Sequence, residues 1–196
     1  MPAEMMLSYL RNCSPEGRLG FQVAMQCAPV LKDVKISNLI IVKPGGWHKI
    51  RADLKKSRII CVPLYTDGEK EVLFLYRYER LENHLKEEAV RRFLRKHGYE
   101  TMGIASVLKR LRARYQLYAG AGREFPHELG VLLEYPVEDV EGFIANRGQN
   151  SLASRYWKVY NNQQEAERRF QLYDEARDCA LREMANGCAL GQVAVS

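Results

Sequence analysis

The chain has 196 residues, 46% of them hydrophobic and 28% charged, with a net charge of +6. Such a balance belongs to a folded globular protein and excludes a disordered, collagen-like or disulfide-stapled chain. No apolar run approaches the roughly 20 residues of a membrane-spanning helix, and Met1-Pro2-Ala3-Glu4 lacks the basic and apolar regions of a secretory signal. A soluble, cytoplasmic protein with one domain over residues 1–196 is expected.

Ser14-Pro15-Glu16 opens the first predicted helix: a hydroxyl N-cap, proline at the first helical position, then an acid facing the dipole. Leu19, Phe21, Val23, Ala24 and Cys27 form its apolar side, and Pro29 is expected to stop it. Asn38 to Val42 reads as a buried strand ended by Pro44-Gly45-Gly46. Arg58–Leu64 and Glu71–Arg77 are β-rich runs joined through Tyr65-Thr66-Asp67-Gly68, and Asp-Gly between such runs signals a hairpin.

From Leu81 to His97 the spacing predicts one helix with Gly98 as its C-cap; a second runs from Thr101 to about Tyr118 and is broken by Gly120 and Gly122. Pro126 and Pro136 each start a short helix, the second closed by Gly148. Arg155-Tyr156-Trp157-Lys158-Val159-Tyr160 is aromatic and β-branched, which predicts a strand. Asn162 with Glu165 begins a long helix whose apolar stripe is Ala166, Phe170, Tyr173, Ala176, Ala180 and Met184. Gly187 ends it, and Cys188 to Val195 is read as a last edge strand. The expected fold is α/β (or α+β), with a mixed sheet of four or five strands flanked by helices and a basic αα-hairpin.

Between Lys86 and Arg114 stand nine bases and three acids, a surplus equal to that of the whole chain. Arg91, Arg92, Arg95, Lys96, Lys109, Arg110, Arg112 and Arg114 therefore mark a surface for an acidic protein or a nucleic acid, with a solvated helix face as the plain alternative. Tyr99, Tyr115 and Tyr118 lie nearby, but no named nucleic-acid motif is present. The five cysteines have no C-x-x-C pair and read as reduced, mostly buried thiols.

The densest chemistry is Arg123, Glu124, His127 and Glu128. At the start of a helix these residues suit a small anionic ligand: Arg123 clamps it, and His127 serves as acid, base or donor. The structural alternative makes Glu128 a dipole partner, His127 a cap and Arg123 an ion-pair member. Val131 stands where a zinc-protease motif needs its second histidine, so that motif is excluded. On the predicted strand, Tyr156, Lys158 and Tyr160 share one face, and Lys158 with Tyr160 joins the candidate site. The Pro126 helix and the Trp157 strand are expected to meet around a cavity. Lys43-Pro44-Gly45-Gly46-Trp47-His48 matches neither phosphate-loop nor dinucleotide fingerprint and reads as a turn.

Three groups of residues carry a family likeness. They are Arg123 to Gly130 with Glu134 to Ile144; Tyr156-Trp157-Lys158-Val159-Tyr160 with Ala166, Phe170 and Tyr173; and Cys27-Ala28-Pro29-Val30-Leu31 with Lys35, Asn38 and Leu39. Together they resemble the family called domain of unknown function 3793, found in anaerobic bacteria. The resemblance brings no activity or cofactor. It implies a small-ligand-binding or accessory role in iron or redox metabolism, with an acidic flavodoxin as one kind of partner. Ser151-Leu152-Ala153-Ser154-Arg155 holds no cysteine where that family often has one, which argues against thiol chemistry there. The remaining alternatives are a nucleic-acid or acidic-protein binder acting through residues 86–114, and an enzyme centred on His127.

Overall fold

In the computed structural model, which describes residues 9 and 11–195, the chain forms two compact units. The first comprises the described residues up to Tyr78 together with those from Leu172 onward, and the second is Glu79–Gln171. The family of folds is α+β: helices accompany two small antiparallel sheets, of three strands and of two, in place of one mixed sheet.

In the first unit, helix α1 (Pro15–Leu31) starts as its sequence dictates, with the Ser14 hydroxyl accepting from Gly17 N–H at 3.1 Å. Pro29 does not stop it. The helix runs two residues further, and the Pro29 carbonyl then takes the N–H groups of Val34 and Lys35. Strands β1 (Ser37–Val42), β2 (Ile59–Thr66) and β3 (Glu71–Arg77) form a sheet in the order β1-β3-β2. The central strand, β3, is buried along its whole length. In the hairpin, Asp67 Oδ1 accepts from Glu69 and Lys70 N–H at 2.8 Å each, so the aspartate organises a loop longer than a bare Asp-Gly turn.

Helix α2 (Gly46–Asp53) follows β1 and packs beside β2. Phe21, Ala24, Cys27, Leu31, Ile40, Ile50, Leu73 and Leu75 belong to this unit's core, joined by Ala180, Leu181 and Met184. Residues 188–195 are not an edge strand. Leu190–Val193 within them form a short helix, at whose start Gln192 Oε1 accepts from Ala189 N–H, and Val195 N–H donates to the Leu31 carbonyl.

The second unit holds α3 (Tyr78–His84, whose first residue ends the first unit), α4 (Glu88–Lys96), α5 (Ile104–Ala121), α6 (Glu128–Leu132), α7 (Val137–Ala145) and the two-residue strands β4 (Ala153–Ser154) and β5 (Lys158–Val159). The expected continuous helix from Leu81 to His97 is broken at residues 85–87. Glu87 adopts an extended backbone as the N-cap of α4, while the buried His84 faces Glu87 Oε1 at 3.1 Å and the Val131 carbonyl at 2.9 Å. Gly120 lies inside α5, and Gly122, at φ +62°, supplies the left-handed cap that ends it.

The long helix α8 (Gln163–Ala185) begins in the second unit and finishes in the first. Every residue of its predicted stripe is buried, and Asn162 Oδ1 accepts from Glu165 N–H at 3.1 Å at its start. Among the described residues, no helix is long and apolar enough to cross a membrane.

Candidate functional site

The Pro126 segment and the Trp157 segment meet within the second unit, and they do so as packed rings. Tyr135 stacks on Trp157 with centroids 5.3 Å apart, and the edge of Trp157 meets Phe170 at 4.4 Å. Phe143 of α7 lies between the two predicted site elements: the His127 ring is 5.6 Å from it and Lys158 Nζ 6.0 Å. Close packing extends to the glycines. A Cβ on Gly142 would come within 2.6 Å of Tyr160 Cβ, so only glycine lets α7 approach that strand.

A residue that sequence reasoning passed over organises this junction. Asp139, 3% exposed, accepts from the Trp157 indole N–H at 2.7 Å, Tyr160 N–H at 2.8 Å and Asn161 N–H at 2.9 Å. Those bonds explain why the predicted strand over 155–160 is reduced to Lys158–Val159. The N–H groups of Tyr160 and Asn161 turn to the carboxylate, and Arg155 N–H closes a tight turn onto the Trp157 carbonyl. The one signal in the sequence was a tryptophan in an apolar segment, whose indole N–H requires an acceptor when buried.

The predicted site residues divide. Glu128 is fully buried and turned inward, accepting from Tyr99 Oη at 3.0 Å and paired with the Arg114 guanidinium. Burial, and next the Glu128 charge, push the Tyr99 phenol well above its ordinary value. Lys158 Nζ donates to the Gly148 carbonyl at 2.5 Å, and Tyr160 Oη is buried with no hydrogen-bond partner among the described residues. His127 stands at the N-cap position of α6 without a side-chain capping bond; Phe125 and Phe143 hold its ring, and no carboxylate among the described residues is bonded to it. Arg123 is exposed and has no ion-pair partner among the described residues. The structure thus brings His127 and Lys158 to one aromatic ring and assigns Glu128 to the interior.

The basic segment divides as well. Arg110 donates to the His97 carbonyl at 3.0 Å and lies over the Tyr99 ring, Arg114 serves Glu128, and Lys96 pairs with Glu141 at 3.2 Å. Arg91 is half-buried. Arg92, Arg95, Lys109 and Arg112 are exposed, and no acid pairs with them among the described residues. Helix α5 contains no acidic residue, and its far end exposes Leu117 and Tyr118; the Tyr118 ring meets the exposed Phe125 edge-on at 5.1 Å.

No three His, Cys, Asp or Glu side chains among the described residues are grouped to hold a metal ion. All five cysteines are free thiols, and burial pushes Cys27 up to about 11 and Cys61 up to about 12. Such thiols stay protonated and are not nucleophiles at neutral pH. The N-terminal signature residues have structural work of their own. Asn38 Oδ1 accepts from Lys35 Nζ at 3.0 Å, Asn38 Nδ2 reaches Cys27 Sγ at 3.4 Å, and Arg77 donates to the carbonyls of Val30 and Leu31.

The model of the DUF3793 family, described as a protein of unknown function, matches residues 23–194, and the chain belongs to that family. No curated protein and no solved structure matches it.

Proposed function

We propose that this member of the DUF3793 family is a binding module whose α4–α5 segment docks on an acidic protein surface. The observation that carries this reading is the division of the basic residues. Arg92, Arg95, Lys109 and Arg112 hold exposed charge that no acid neutralises among the described residues, while their neighbours are used internally. Unpaired cations steer an acidic partner and set orientation. The exposed Leu117, Tyr118 and Phe125 supply apolar and aromatic area of the kind that anchors protein interfaces. The accessory role in iron or redox metabolism implied by the family resemblance makes an acidic flavodoxin the first partner to test.

The test is association with a purified flavodoxin, measured at low and at physiological salt. Charge reversal at Arg92, Arg95, Lys109 and Arg112 should abolish binding, and wild-type affinity should fall as salt rises. Binding that ignores both salt and the reversals ends the proposal. A single-stranded oligonucleotide run in parallel tests the nucleic-acid alternative, which predicts salt-dependent association with that strand instead.

A second reading, a small anionic ligand held by Arg123 and His127, is favoured by one observation: the His127 ring is fixed between Phe125 and Phe143 yet makes no hydrogen bond among the described residues. Glu128 has no part in it, being wholly buried. His127→Ala that keeps the fold and binds the same anions as wild type would exclude this reading.

A further inference from the structure

The Gly-rich turn at residues 43–48 joins β1 to α2 in the first unit. Gly45 takes φ +85°, and the Glu71 carboxylate accepts from Gly45 N–H at 2.9 Å and from Trp47 N–H at 2.7 Å. The start of α2 is therefore already served by the protein's own anion. With its first turn fixed by β3 in this way, α2 lies beside β2 and leaves a groove of about 530 Å³ between them, a volume within the usual range for small-molecule sites.

The groove has a definite chemical character. His48, Arg51 and Lys55 line it at spacings of three and four, which places them on one side of α2 and its extension. No acidic side chain lines it, and none of these three has an acidic partner among the described residues. Leu54, Ile60 and Cys61 add apolar surface. Ser57 is not free to serve a ligand, since its hydroxyl donates to the Leu54 carbonyl and accepts from Ile59 N–H.

An added β-strand is a poor occupant, although β2 is an edge strand. Ile59 N–H is bonded to Ser57, the Cys61 carbonyl accepts from the Trp47 indole at 3.0 Å, and Pro63 has no N–H to give. Alternate backbone positions along β2 are thus closed to pairing.

We propose that the groove between α2 and β2 binds a small phosphomonoester with an apolar or planar body. Two permanent cations, Arg51 and Lys55, with His48 beside them, match the roughly −1.5 to −2 charge of such a group at neutral pH. The apolar wall receives the body of the molecule. Charge comes from the helix side, and contact area comes from Leu54 and the strand.

The test is calorimetric titration with adenosine monophosphate, inorganic phosphate and adenosine, with amide chemical shifts followed in parallel. Adenosine monophosphate should bind saturably and more tightly than either of its parts, and shifts should centre on His48, Ser57 and Cys61. The variant Arg51→Ala/Lys55→Ala removes two exposed side chains and should keep the wild-type circular dichroism spectrum while weakening binding about tenfold or more. The proposal is overturned if no saturable binding appears up to about 10 mM. It is equally overturned if inorganic phosphate binds as well as the nucleotide, if the double variant binds as wild type does, or if the shifts lie elsewhere. Because Arg51 and Lys55 are remote in sequence from α4 and α5, charge reversal of Arg92, Arg95, Lys109 and Arg112 should leave this binding unchanged.

Discussion

The Asp139 carboxylate accepts the Trp157 indole N–H at 2.7 Å, and neither residue exposes more than 6% of its surface. An acid at the start of α7 thus determines how the chain turns 18 residues later. Removing the acceptor leaves three donors without it at once, the buried Trp157 indole among them.

Asp139→Ala should therefore destabilise the protein by about 3 kcal/mol or more, since a hydrogen bond to a charged group contributes about 1.5–3 kcal/mol and unpaired buried donors add their desolvation cost. Asp139→Asn keeps an acceptor and should cost less. Chemical denaturation with tryptophan fluorescence measures both, and an unchanged midpoint for the alanine variant would refute the role assigned to Asp139.

Glu128 and His127 are adjacent, and their substitutions should have opposite consequences. Glu128→Ala leaves Arg114 and the Tyr99 hydroxyl without their buried partner, a change worth about 3–5 kcal/mol where one member of a buried pair is removed. His127→Ala loses only ring contacts with Phe125 and Phe143 and should cost about 1 kcal/mol, in line with an ordinary point substitution. Thermal melts of the two variants decide it. Equal losses would mean that His127 is as structural as its neighbour.

Cys27 and Cys61 give the protein a defined alkaline limit. Their folded values, about 11 and about 12, lie above the ordinary thiol value of 9.0, so folding favours the protonated form. That contribution is complete below about pH 9 and is lost as pH rises through the folded values. The raised Tyr99 phenol acts in the same direction. Denaturation midpoints should hold steady up to about pH 9 and fall beyond it. At about pH 8 native Cys27 and Cys61 should resist iodoacetamide until the chain unfolds. Fast labelling of either in the native protein contradicts the assignment.

Periodic elements were legible in the chain. The stripe from Ala166 to Met184 predicts α8, and the β-branched runs predict β1, β2 and β3, because these patterns report directly which side faces a core. Asp139 was not legible: its donors stand 18–22 residues further on, and nothing local marks an acid as their acceptor. Charge counting found the basic segment but could not separate its members. Arg112 and Arg114 stand two positions apart on α5, so Arg114 turns toward the buried Glu128 while Arg112 stays in solvent. The groove beside α2 depends on Glu71, a residue on another strand, and so was invisible in the Gly-rich turn itself.

The order of the two units along the chain bears on how the protein is made. Leu181, Met184, Leu190 and Val193 complete the core of the first unit, and the Val195 carbonyl receives the buried Arg77 guanidinium at 3.1 Å. All of these residues except Arg77 follow Gln171 in the chain. The inserted unit, Glu79–Gln171, is contiguous and fully synthesised before them. Domains fold as units during translation, so the inserted part can finish first, while the sheet encoded before it waits for the residues encoded after it.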